Sequence, residues 1–163
     1  MNFIELFSKI GISPSFMQDF SLLIVIILLT VAFAFLVGRG RLIAVLMSAY
    51  ISLALLEAFP GNYLKDYSYE LIFFLILLIL FTIFSKRIFG VYISGSQFLW
   101  RIFTVSFLEV VMLLSVILSI LPKKIALGYI SENAYKYLVS SEFHFFWLII
   151  PIIFVYLIRK RLN

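Results

Sequence analysis

Two long apolar runs, separated by a link of only four residues, limit what this chain can fold into. The first run, residues 20–37, carries no charge, and the second, residues 42–59, is about as long. As an α-helix the first run reaches roughly 28 Å with its flanking residue, close to the ~30 Å thickness of membrane hydrocarbon. A helix that is apolar all round belongs in lipid or in a large core, and a chain of 163 residues cannot supply several such cores. The two runs therefore predict a transmembrane helical hairpin.

The link Gly38-Arg39-Gly40-Arg41 is predicted to be a tight basic turn, formed by Arg39, Gly40 and Arg41, at one membrane face. Its shortness predicts that the two helices are antiparallel neighbours. Small residues recur at helical spacing on both helices, at Thr30, Ala34 and Gly38 and at Ala44, Ser48 and Ser52. Such stripes let helix backbones approach closely in lipid, so we expect these six residues to lie at contacts between helices. The alternative is that small residues, which are common in such helices, recur at this spacing by chance.

The composition agrees with a membrane protein. Hydrophobic residues make up 64% of the chain and charged residues 13%, whereas soluble domains contain about 45–50% and 25%. We expect an all-α, polytopic transmembrane bundle forming one domain over residues 20–163, preceded by an amphipathic segment at residues 1–19. A signal peptide is not expected, because no small-x-small cleavage pattern follows the first run.

About five spans are predicted, or four if the last run does not insert. They cover residues 20–37, 42–59, 67–84, 102–121 and 143–158. Residues 88–100 are too short to span and too apolar for a free loop, which indicates either an interfacial or a re-entrant segment.

Lysine and arginine are divided unevenly between the two sides of this topology. One side carries Lys9, Lys65, Lys123, Lys124 and Lys136. The other carries Arg39, Arg41, Lys86, Arg87, Arg101, Arg159, Lys160 and Arg161. Because cytoplasmic loops are enriched in these residues, the second set is predicted to face the cytoplasm. The amino terminus is then outside and the carboxyl terminus cytoplasmic.

Glu109 is the most informative single residue. It lies about 12 Å along the fourth predicted helix from Arg101, near mid-membrane, where an acidic group costs a few kcal/mol. Arg101 and Glu109 share one half of this helix with Thr104, Ser115 and Ser119, which indicates a polar side that faces protein. Glu109, with Arg101, is therefore a candidate functional site that carries a proton or ion, or acts as a switch. The alternative is a protonated, hydrogen-bonded packing group.

The remaining polar residues point to structure more than to chemistry. Glu57, His144, Trp100 and Trp147 are expected at the membrane interface, and Pro151 is expected to kink the last helix.

The chain has no cysteine, a single histidine and no G-x-S-x-G or H-E-x-x-H motif. We therefore expect no catalytic residue, no metal site and no cofactor. The net charge of +5 is not a nucleic-acid signal, because the basic residues flank helix ends.

The near-uncharged first helix, the Gly38-Arg39-Gly40-Arg41-Leu42 turn and the glycine-containing segment at residues 90–101 resemble the colicin V production protein (CvpA) family. The resemblance covers residues 20–121. The chain departs from it at Arg101-Ile102, where an Arg-Gly pair is usual, and in its added last span. The resemblance implies a non-enzymatic protein of the bacterial cytoplasmic (inner) membrane, linked through partners to toxin or bacteriocin export, or to envelope maintenance.

Two other interpretations stay open. The chain fits a small transporter or channel subunit that oligomerises around Glu109, and it resembles in size and span number the MreD type of membrane assembly factor. In each case the expected partners are the lipid bilayer and other membrane proteins or further copies of the chain.

Overall fold

The computed structural model describes residues 14–38, 41–60, 63–64, 66–88 and 98–160. Within these segments the chain is helical and contains no strand, which confirms the all-α prediction. The helices are α1 (Pro14–Val37), α2 (Leu42–Ala58), α3 (Tyr67–Ile88), α4 (Phe98–Ile120), α5 (Lys123–Ala126), α6 (Glu132–Val139) and α7 (Ser141–Lys160). Most of the predicted amphipathic segment at residues 1–19, and most of the predicted interfacial or re-entrant segment at residues 88–100, lie outside the described residues.

Four helices in the described segments are long and apolar enough to cross a membrane. The apolar stretches are Phe16–Val37 in α1, Tyr67–Ser85 in α3, Leu99–Ile120 in α4 and Ser141–Ile158 in α7. The fifth predicted span corresponds to α2, an apolar helix of 17 residues. At 1.5 Å per residue α2 is roughly 25 Å long, so it is the shortest of the five.

Three helices begin earlier than their predicted spans, α7 by only two residues, at Ser141. Helix α1 is described from Pro14, and proline suits a first helical turn because it has no N–H that would need a partner. Helix α4 starts at Phe98, so Trp100 and Arg101 lie inside the helix and not ahead of it.

Helix α4 is the centre of the bundle. It packs against α1, α2, α3, α6 and α7. Over an apolar window of 18 residues, 56% of the residues of α4 are buried, against 6% in α1, 11% in α3 and 6% in α7. The outer helices therefore turn mostly apolar side chains outward, among them Phe35 and Leu36, which are more than four-fifths exposed. A surface of this kind is typical of contact with lipid.

The two helices of the predicted hairpin take different main partners. Helix α2 packs most extensively against α3, and α1 packs most extensively against α4. The α2–α3 contact includes a hydrogen bond of 3.2 Å between the Ser48 and Ser85 hydroxyls and a contact of 4.7 Å between the Phe59 and Phe73 ring centroids. The short link thus joins the ends of α1 and α2 without making them the principal packing pair.

Gly38 ends α1 with a left-handed backbone, at φ +66°. Its N–H donates to the Ala34 carbonyl at 3.2 Å, and its own carbonyl accepts from the Arg41 N–H at 3.2 Å. Glycine suits this position because other residues pay roughly 1–2 kcal/mol for the left-handed conformation.

Helix α6 is held against α1 at its amino end. The Ser131 hydroxyl accepts from the Ala134 N–H at 3.0 Å, which caps the helix, and it donates to the Asp19 carboxylate in the first part of α1. The amino end of α1 and the amino end of α6 therefore lie at the same end of the bundle.

The carboxyl end of α6 is held by α4 and α7. The last carbonyls of a helix have no partner within it. Here the Leu138 carbonyl accepts from the Ser115 hydroxyl at 2.5 Å, and the Tyr137 carbonyl accepts from the Trp147 Nε1–H at 2.8 Å. The buried Leu138 side chain adds an apolar contact to the cluster around Val111. Helix α6 is therefore a packed part of the bundle, although its sequence is more polar than that of the long helices.

Candidate functional site: a buried acidic group in the central helix

Glu109 lies near the middle of α4, and its side chain is 0% exposed. Among the residues that the structure describes, neither of its carboxyl oxygens has a hydrogen-bond partner. One helical turn further along α4, Met112 packs in a cluster with Leu46 and Ala49 of α2. The carboxyl group is thus enclosed by helices in apolar surroundings, where an unpartnered polar group costs several kcal/mol.

Ser106 supplies a third unpartnered oxygen. It precedes Glu109 by three residues, which places both side chains on one face of α4. Its hydroxyl is fully buried and has no partner within the described segments. Four other hydroxyls in the long helices bond to the carbonyl four residues earlier, those of Thr30, Ser48, Ser52 and Thr104. Ser106 is therefore free to contact a ligand or the Glu109 carboxyl. Ser106 was not among the residues predicted from sequence, although its position three residues before Glu109 places both on one helix face.

Tyr50 connects this region to α7. Its side chain, from α2, packs on the cluster that contains Met112, and its hydroxyl lies within electrostatic range of Glu109. The hydroxyl donates a hydrogen bond to the Leu148 carbonyl of α7. Three residues later in α7 is Pro151, which is buried and has no N–H to donate to the preceding turn. The Tyr50 contact therefore falls where the hydrogen bonding of α7 is interrupted.

The polar side predicted for α4 is only partly present. Ser119 is exposed, and the Thr104 hydroxyl donates to the Trp100 carbonyl of its own helix at 2.9 Å. Arg101 is half-buried, and one of its guanidinium nitrogens, Nη1, is buried with no partner in the part of the chain that the structure describes. The structure does not bring Arg101 and Glu109 together as an ion pair, since both carboxyl oxygens are unpartnered.

His144 has a more specific place than an interface anchor. Its Nδ1 lies 2.7 Å from the Ser115 hydroxyl, which itself donates to the Leu138 carbonyl. Because a hydroxyl has one proton, the neutral imidazole must carry its own proton on Nδ1 and donate it to Ser115. A serine beside a histidine is also the arrangement of a hydrolase nucleophile. Ser115, however, is fully buried and its proton is engaged by the main chain, so this pair joins α4, α6 and α7.

The Glu57 carboxylate, in the last turn of α2, is exposed and lies within electrostatic range of His144. The structure thus puts Glu57 and His144 at the same end of the bundle as Asp19 and α6. Apart from Glu109, the acidic residues of the described helices lie toward this end.

The predicted packing stripes lie in different surroundings. On α1, Thr30 is fully buried, Ala34 packs on the cluster around Leu42, and Gly38 ends the helix. On α2, all three residues, Ala44, Ser48 and Ser52, are buried. Ser48 faces α3 through Ser85. In the predicted basic turn Arg41 is exposed, whereas Arg39 and Gly40 lie outside the described residues.

No protein-family model, curated protein or solved structure matches this chain. The resemblance to the CvpA family therefore stays a prediction from sequence pattern. The function has to be inferred from the geometry around Glu109.

Proposed function

We propose that this chain is a non-enzymatic integral membrane protein, acting as a small transporter or channel subunit, in which Glu109 binds a proton or a small monovalent cation on its way through the bundle. The observation that carries this proposal is the complete burial of Glu109 in the central helix with both carboxyl oxygens unpartnered. Ionisable residues inside spanning segments commonly mark ion pathways and proton relays. A glutamate kept only for packing would be expected to hold hydrogen bonds to a neighbouring helix, as Ser48 does to Ser85.

The chemistry of the site favours a single positive charge. Within the described segments, no group of three or more His, Cys, Asp or Glu side chains lies together as a metal site would require. One carboxylate balances one unit of charge, whereas Ca²⁺ is bound by six to eight oxygens, several of them carboxylates. The oxygens of Glu109 and Ser106 are few and lie on one helix face, which suits a proton or a small monovalent cation.

For the membrane topology we propose five spans, with α2 as the second and α7 as the last. The contacts of α2 along α3, at Ser48–Ser85 and Phe59–Phe73, support a shared depth for the two helices. One end of the bundle is basic, with Arg41 and Arg101 beside the ends of α3 and α7, whose sequences carry Lys86, Arg87, Arg159 and Lys160. Basic ends of this kind favour the cytoplasmic side, which leaves the amino terminus outside.

Ion movement through purified protein tests the role of Glu109. Liposomes containing the wild-type chain and a pH-sensitive dye are expected to acidify when a potassium diffusion potential makes their interior negative; parallel liposomes test sodium. Glu109→Gln keeps the shape of the side chain but removes its charge and its titration, so flux is expected to fall to the level of protein-free liposomes.

The matched control is Glu142→Gln, which removes an exposed carboxyl from the first turn of α7 and should leave flux unchanged. Wild-type flux in Glu109→Gln would overturn the assignment of Glu109. A wild-type chain that moves neither protons nor monovalent cations would overturn the transport proposal as a whole.

A further inference from the structure

We infer that the ligand of Glu109 is a proton and that Tyr50 responds to it, donating its hydrogen bond to the Leu148 carbonyl when Glu109 is neutral and to the Glu109 carboxylate when Glu109 is ionised. The inference rests on the proposed function, because it names the ligand of the same site. It adds a consequence of binding, which is that the charge on Glu109 decides whether this hydrogen bond joins α2 to α7.

The two contacts of Tyr50 exclude each other. A phenol has one O–H group and donates one hydrogen bond. In the structure that bond goes to Leu148, and both Glu109 oxygens are left without a donor. A neutral carboxyl competes for the Tyr50 donor less strongly than a carboxylate does. An ionised carboxylate attracts donors more strongly, since a hydrogen bond to a charged group is about twice as strong as one between neutral groups.

Two donors can be placed near Glu109 in the part of the chain that the structure describes, one three residues earlier on α4 and one whose side chain packs on the cluster that contains Met112. The first is Ser106, whose hydroxyl is free but lies on α4 itself. The second is Tyr50, which comes from α2 and is already bonded to α7. Only a change at Tyr50 alters a contact between helices, so Tyr50 is the residue through which ionisation of Glu109 reaches the rest of the bundle.

Helix α7 has an incomplete set of backbone hydrogen bonds next to the Leu148 carbonyl that Tyr50 contacts. Pro151 removes the N–H that would bond to the Trp147 carbonyl, and the next carbonyl along, Leu148, is the one that Tyr50 holds. Helices bend at prolines because their hydrogen-bond ladder is incomplete there. Release of the Tyr50 bond removes a tie from α2 at this weak point, so α7 gains freedom to move about Pro151.

Other titratable groups lie away from Glu109 along the bundle. On its own helix Arg101 is about 12 Å distant by helical rise, and on α7 His144 contacts Ser115, about 9 Å further along α4. The charged residues of the other packed helices lie toward their ends: Asp19 on α1, Glu57 on α2, Glu70, Lys86 and Arg87 on α3, Glu132 and Lys136 on α6, and Glu142, Arg159 and Lys160 on α7. Among the described residues, Tyr50 is thus a titratable side chain of another helix that packs within one helical turn of Glu109, on the cluster that contains Met112.

Two spectroscopic signals test the inference in detergent micelles, without any flux measurement. Infrared difference spectra between acid and alkaline samples report the protonated carboxyl band of Glu109, identified by its absence in Glu109→Gln. The chain has two tryptophans, so a Trp100→Phe background leaves Trp147, the residue before Leu148, as the only fluorescent indole.

In this background the Trp147 emission is expected to change with the same pH midpoint as the Glu109 carboxyl band. Tyr50→Phe, which removes only the hydroxyl, should keep the titration of the carboxyl band and lose the linked change in emission. Tyr129→Phe, at an exposed tyrosine outside the long helices, should keep both. Any emission change that remains in Glu109→Gln belongs to His144, three residues before Trp147, and is subtracted.

If the Trp147 emission of Tyr50→Phe still changes with the pH midpoint of the Glu109 carboxyl band, as in the wild type, the proposed switch is wrong. A Glu109 band that does not titrate, combined with cation flux that depends on Glu109, would show that the ligand is a different cation and would leave the transport proposal intact. Coupled titration of Glu109 and Trp147 in a protein that moves no ions would support the switch and contradict the transport proposal.

Discussion

Replacing Glu109 by methionine is expected to stabilise the folded protein by about 1–3 kcal/mol, because it removes a buried polar group that has no hydrogen-bond partner. Methionine is unbranched and close to glutamate in length, so it should occupy the same space beside Met112 without new clashes. Thermal unfolding in detergent micelles, followed by circular dichroism, measures the change. The same substitution should remove ion flux.

The combination of higher stability with lost flux separates the two interpretations of Glu109. A packing glutamate that bonds to a neighbouring helix would make Glu109→Met destabilising, and that result would contradict the arrangement described above. The control, Glu142→Met, changes an exposed carboxyl at the start of α7 and should alter the unfolding temperature little.

Replacing Ser48 by leucine is expected to destabilise the bundle by about 2 kcal/mol or more, because the larger side chain overfills a closely packed contact. Ser48 is fully buried between α2 and α3, with its hydroxyl 2.7 Å from the Ala44 carbonyl and 3.2 Å from the Ser85 hydroxyl. In lipid, helix association depends on such close approach, since lipid tails are as apolar as leucine itself.

The alanine variant is the matched control for this prediction. Ser48→Ala keeps the small volume and loses the hydrogen bond to Ser85, a contact for which membrane proteins average roughly 0.6 kcal/mol. Thermal unfolding of both variants in the same micelles distinguishes volume from hydrogen bonding. If Ser48→Leu unfolds at the wild-type temperature, the contact between α2 and α3 is not as close as described.

Much of the fold follows from the sequence because lipid permits few solutions. A chain segment in hydrocarbon must satisfy its own backbone hydrogen bonds, so a long uncharged run such as residues 20–37 predicts a helix with little ambiguity. Glu109 could likewise be identified as exceptional, since one acidic residue among apolar neighbours is conspicuous in any spanning segment.

The choice of neighbours could not be predicted in the same way. A short link fixes only that the ends of two helices are close, so the partner of α2 depends on which faces fit. Ser48 suits a contact with α1 or with α3 equally well in sequence, and the structure places it against Ser85. The role of His144 was hidden for a similar reason, because its partner Ser115 lies 29 residues away and on another helix.

The measurement that tests most directly whether this bundle spans a membrane is labelling of its two ends. The chain has no cysteine, so Arg41→Cys and Tyr129→Cys each introduce a single thiol, at exposed positions on the basic end and beside α6. In a bacterial host, an impermeant maleimide should label Tyr129→Cys in intact cells stripped of their outer envelope, and Arg41→Cys only in inverted membrane vesicles. Labelling of both thiols from the same side would contradict a membrane-spanning bundle.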